Sequence, residues 1–248
     1  MNLEENILRE LKKQIIAPEK VIKLRIYLYT DKINKEYLWG KIHYKIKSLT
    51  KEESIIPYKK WIITRDTLDK YGLKEVEKIY QQKHNIYERW NNATIQGGFY
   101  AKKLIEDYLI EKGMKPSRHI VKWNGKRFRI DTWNSEITIK IKNIFSDVFY
   151  NPDTITKLNG NHVQVKRFFE YAKYNGITPI LIAPLIDNSF YKFAKEHNGL
   201  FCRTYIQILK PPQKTLAWKI NQVFNIANIM AVNRIPNTIK SWIETNIL

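Results

Sequence analysis

The stretch ITPILIAPL, Ile177–Leu185, limits the folds open to this chain more than any other. It is short, and its side chains are apolar on both alternating sets. A strand of this kind is buried on both faces, which requires a covered, at least partly parallel sheet. HVQVKRFFEYAKYNG, 162–176, precedes it as a helix stopped by Gly176. SFYKFAKEHNG follows as a second helix and LFCRTYIQIL, 200–209, as a final strand, so the last two strands are joined by a crossover helix and run parallel. Upstream, FYAKKLIEDYLIEKG reads as a helix with Phe99, Leu104, Tyr108 and Leu109 toward a core and Gly113 as its stop. RHIVKW and KRFRIDTW form a hairpin around Asn124-Gly125, a strong two-residue turn signal. Asn134-Ser135-Glu136 then turns the chain into a third strand, ITIKIK, 137–142. From Phe99 the order is α-β-β-β-α-β-α-β, a mixed sheet of the α+β or α/β class.

The N-terminal part is read differently. Residues 3–16 form an amphipathic helix, and 21–29 and 37–47 alternate apolar and polar residues as strands do. Thr64 caps a helix over 65–71, Gly72 breaks it, and a second helix runs from 73 to 82, the outline of a helix-turn-helix. NNATIQGG, 91–98, is polar with a glycine pair and marks a boundary. The expected organisation is an α+β module over 1–95 that is itself a candidate for nucleic-acid binding, a core over 96–210, and a helical extension over 211–248.

Lys and Arg number 43 against 24 Asp and Glu, a net charge of +19. Such an excess points to a polyanionic partner, nucleic acid above all. An inert basic surface is the alternative. From Lys112 to Arg129 there are seven basic residues and no acidic one, with Trp123 and Phe128 among them. Cations interleaved with aromatics suit phosphate contact and base stacking. The candidate contacts are Lys115, Arg118, Lys122, Lys126, Arg127 and Arg129, with Lys166 and Arg167 on the following helix. Cys202 is the one cysteine and reads as a small core residue. The N-terminal helix does not resemble a signal peptide, and no apolar run is long enough to span a membrane. The expectation is a cytoplasmic protein with no membrane partner, with room for a homodimer.

Asp131 ends the second strand, and Lys140 and Lys142 lie on the third, facing away from Ile137, Ile139 and Ile141. Phosphodiester hydrolysis needs carboxylates for a divalent ion, a metal-bound water and a cation to orient it. Asp131 suits the first role and Lys142 the last. The histidines His43, His84, His119, His162 and His197 show no ligand spacing. Asp147 and Asp153, in the irregular stretch before the next helix, are further candidate ligands.

Asp131, Lys142-Asn143 and the order of elements over Phe99–Leu209 resemble the PD-(D/E)xK superfamily of restriction-endonuclease-like nucleases. The resemblance implies that core fold, Mg²⁺ or Mn²⁺ held at Asp131, Lys142 as the motif lysine, Gln164 supporting the site, and Glu106 as an added carboxylate. It implies hydrolysis of duplex or branched DNA. The departure is Lys140, which stands where the motif has Glu. Two unit charges 4 Å apart interact by about 4 kcal/mol at an effective dielectric near 20, and a divalent ion doubles that, so Lys140 opposes metal binding. Three readings stay open. Lys140 pairs with Asp131 and replaces the ion; the carboxylate has moved to Glu136 or Glu106; or Lys140 is a disabling change from Glu. A non-catalytic nucleic-acid-binding protein on the same fold is the rival to an endonuclease.

Overall fold

The computed structural model describes residues 2–29, 37–143, 145 and 161–248, with backbone alone at 161–163. Asp147, Asp153 and the His162 side chain lie outside the described residues. By packing the chain divides into two units, 1–92 with 216–227, and 93–215 with 228–248.

The first unit opens with α1 (Leu3–Gln14), which starts on a capping box between Asn2 and Glu5. β1 (Ile16–Ala17), α2 (Glu19–Tyr29) and α3 (Leu38–Lys51) follow. The strands expected over 21–29 and 37–47 are therefore helices. In α2 every residue from Val21 to Tyr27 is buried, including the polar positions that made the segment look alternating. Lys23 pairs with Glu19 at 2.5 Å, and Arg25 donates to Glu10 through Nε at 2.8 Å and Nη2 at 2.6 Å. In α3 the buried Leu38, Ile42, Ile46 and Leu49 keep helical spacing. β2 (Ile55–Tyr58) and β3 (Trp61–Thr64) form a hairpin, and the small sheet has the order β1-β3-β2.

α4 (Arg65–Glu111) begins where expected, with the Thr64 hydroxyl accepting from the Thr67 amide at 3.2 Å. Gly72 breaks it at φ 71° and ψ 159°. Beyond that it continues through 91–98, which is helix and not a loop. Gly97 of the pair there serves packing: a Cβ on it would come within 2.6 Å of the Ile208 carbonyl oxygen.

The second unit carries β4 (Pro116–Trp123), β5 (Lys126–Trp133), β6 (Ile137–Ile141), α5 (Asn161–Tyr174), β7 (Thr178–Ala183), α6 (Phe190–Glu196) and β8 (Leu200–Arg203). Its five-stranded sheet is ordered β4-β5-β6-β7-β8. The first three strands pair antiparallel, and β6, β7 and β8 pair parallel. Both faces are covered. Ile180 and Ile182 pack with Ile105 and Leu109 of α4 and with Ile239 and Ile243 of α8 (Asn237–Asn246). Leu181 and Ala183 pack with Phe168 and Phe169 of α5 and Phe190 and Phe193 of α6. Cys202 is buried on the α4 side, and burial pushes its thiol up to about 12. Phe99, expected toward the core, is 78% exposed.

The expected last strand splits. Tyr205 takes a φ of 54°, and β9 (Gln207–Leu209) pairs parallel with β10 (Ile229–Ala231). The helix expected over 214–231 ends at Phe224 as α7 (Lys214–Phe224). Residues 211–248, read as one extension, are shared between the units: 216–227 go with the first and the remainder with the second. No helix among the described residues is long and apolar enough to cross a membrane.

Candidate functional site

β4 is one of the two edge strands of the five-stranded sheet, and with β5 it forms an antiparallel ribbon closed by Asn124 and Gly125 at φ 47° and 74°. Both central residues have positive φ, as a tight hairpin turn demands. Register sorts the side chains, since directly opposed residues share a side. Arg118 faces Asp131, Ile120 faces Arg129, and Lys122 faces Arg127. That side is cationic and exposed until it reaches Asp131. The other side carries Val121, Phe128 and Ile130 toward α5, and Trp123 opposite Lys126. Lys115, Arg118, Lys122, Lys126, Arg127 and Arg129 are all exposed, whereas Lys166 and Arg167 on α5 are half-buried and Lys166 pairs with Glu170 at 3.6 Å.

Asp131 is 8% exposed and is surrounded by cations. Lys102 Nζ lies 2.5 Å from Oδ2, and Arg129 Nε donates to Oδ1 at 2.8 Å. Arg118 Nε is 3.9 Å from Oδ1. Burial pushes the carboxyl pKa up, but hydrogen bonds from Arg129 and Lys102 outweigh it, and the pKa falls below its ordinary value. The same Lys102 ammonium lies 3.3 Å from Glu106, one turn along α4, and Arg118 Nη2 is 3.6 Å from Glu106 Oε2. Asp131 and Glu106 are thus gathered around a lysine.

Lys140 and Lys142 approach α5 instead. The Lys140 ammonium lies 5.9 Å from the Phe168 ring centre. Its pKa falls through burial first, then through repulsion from Lys102, against the attraction of Asp131. Lys142 donates to Gln164 Oε1 at 3.0 Å, and burial, aided by Lys140, pushes its pKa down to about 8. Lys142 and Gln164 are brought together, and Asp131 and Glu106 are brought together. The ammonium against Asp131 belongs to Lys102 and not to Lys140. Glu136 is exposed in the turn before β6, at the other end of that strand from Lys140 and Lys142. Lys102 was not singled out from the sequence. Its signal was positional: it lies four residues before Glu106 and next to the buried Ala101 and Ile105.

This donor set does not fit Mg²⁺ or Mn²⁺. Lys102, Arg118 and Arg129 set three positive charges against Asp131 and Glu106, and Lys140 is near enough to feel both Lys102 and Asp131. Both Asp131 oxygens already accept from cations. Among the described residues no three His, Cys, Asp or Glu side chains converge as ligands. A hard divalent ion prefers several anionic oxygens and few cations nearby. What the arrangement suits is a polyanion, because Arg118 and Arg129 keep 58% and 51% of their side chains exposed while carboxylates fix their orientation.

Compared with known proteins, the chain matches no family model, no curated protein and no solved structure.

Proposed function

We propose that this chain binds nucleic acid, in the first instance DNA, through the basic β4–β5 ribbon of a restriction-endonuclease-like core in which lysines stand where a catalytic metal would be held. The observation that carries the reading is the Lys102–Asp131 contact at 2.5 Å, flanked by Arg129 at 2.8 Å. It gives the one buried carboxylate of the site a resident cation. The αβββαβαβ order and the antiparallel-then-parallel sheet support the core assignment.

Binding should follow counterion release. A protein contacting Z phosphates loses affinity with a log–log salt slope of about −0.9Z on duplex DNA. Fluorescence anisotropy with duplex and branched probes, titrated with salt, measures it. Neutralising Lys122, Lys126, Arg127 and Arg129 together should weaken every sequence about equally and flatten the slope, since phosphate contacts carry no sequence information. A flat salt response in the parent chain sinks the reading.

A Mg²⁺- or Mn²⁺-dependent endonuclease is the second reading. The Lys142–Gln164 pair at 3.0 Å favours it, because those side chains meet as the resemblance implies. Cleavage of DNA by the parent chain, abolished by Asp131→Ala, would put this reading first.

A further inference from the structure

The tip of the β4–β5 ribbon pairs its cations with an aromatic group. Trp123, next to the turn, has its ring centre 4.8 Å from that of Tyr174, tilted by 51°. Tyr171 meets Trp123 edge-on at 5.9 Å and Phe128 edge-on at 5.7 Å. The inner rings are half-buried and hold one another, but Tyr174, at the last turn of α5, is 76% exposed. The Trp123 indole N–H is enclosed and has no acceptor among the described residues. The neighbouring Lys122, Lys126 and Arg127 are exposed, and no acidic residue occurs between Lys112 and Arg129.

We propose that Tyr174, braced by Trp123, is a stacking platform for an unpaired nucleobase, so that the ribbon's preferred ligand is a duplex ending in a single-stranded tail. The inference rests on the nucleic-acid reading above. Inside a duplex each base has both faces covered by its neighbours, and only an unpaired or terminal base offers a free face to a surface ring. A polar–aromatic ring left in water beside phosphate-binding cations matches the chemistry of single-strand recognition, where cations track the backbone and rings take the bases. Charge selects this occupant over a protein surface: the tip is cationic throughout, and a nucleic acid supplies both the anion and the flat apolar face.

The test uses the full chain and two labelled probes, a blunt duplex and the same duplex with an unpaired tail of a few nucleotides. The parent should bind the tailed probe about tenfold more tightly, within the range of one base stacked on an aromatic ring. Tyr174→Ala should remove that preference, with the loss falling mainly on the tailed probe. Tyr174→Phe should retain it, since the ring remains. The exposed position of Tyr174 keeps the fold out of the comparison. Equal affinity of the parent for the two probes, or a Tyr174→Ala loss that is the same on both, overturns the platform while leaving nucleic-acid binding intact. Absence of salt-dependent binding to either probe overturns both.

Discussion

Lys102 decides what the carboxylate at the end of β5 can do. An ammonium 2.5 Å from Asp131 occupies the position a cation would take and is tethered to α4, so it acts at a high effective concentration. Lys140→Glu alone therefore leaves the site blocked, and calorimetry should detect no Mn²⁺ binding to that variant. Adding Lys102→Ala should create binding, because the ammonium in contact with Asp131 is gone and a carboxylate has replaced a second nearby cation. Mn²⁺ binding by the single variant would show that Lys102 yields its place. A pH dependence follows from Lys142, whose pKa is pushed down to about 8. DNA affinity should fall as pH rises through that value, because the cation is lost, and Lys142→Gln should flatten the profile between pH 7 and 9. Stability should move the other way. A lysine whose pKa is depressed by folding opposes folding while charged, so its penalty holds below about 8 and disappears as pH rises toward the unfolded value of 10.5.

α4 shows at the scale of an element how one sequence signal serves two ends. Gly97-Gly98 looks like a break, yet the helix runs through it. Gly97 is small because the Ile208 carbonyl lies against it, while nothing lies within 4 Å of a Cβ on Gly98. Gly97→Ala should cost about 1–3 kcal/mol by overpacking. Gly98→Ala should stabilise by up to about 1 kcal/mol through helix propensity. Urea midpoints of the two variants check the contrast, and equal shifts would refute it. The strand assignment of α2 failed for a related reason. Its polar positions are not solvated, since Arg25 is buried against Glu10, so apolar alternation in the sequence was no guide to which side faced water.

In the whole molecule, chain order and packing order part company. Residues 216–227 return to the first unit, where the Phe224 carbonyl accepts from Arg25 Nη1 at 3.0 Å and from Gln14 at 3.2 Å. A fragment of residues 1–92 lacks those acceptors and leaves a buried guanidinium donor without a partner, which is costly. That fragment should unfold at low temperature by circular dichroism, and a peptide of residues 214–227 added in trans should raise its melting temperature. A fragment that melts alike with and without the peptide would show that the segment is dispensable.

The alternation, the Asn124-Gly125 turn and the apolar run at 177–185 determined the strands of the second unit's five-stranded sheet by themselves. Each is a local signal: a two-residue turn sets its own register, and a strand apolar on both sides must be covered on both sides. The basic run from Lys112 to Arg129 was likewise legible, because charge excess needs no partner to be seen. Which cation faces Asp131, which glycine is a contact and which helix crosses back were decided by tertiary packing. Lys102 and Asp131 are 29 residues apart, and Gly97 and Ile208 meet only when β9 is in place. Contacts of that kind depend on where whole elements come to rest, and a side chain's spacing along the chain does not encode them.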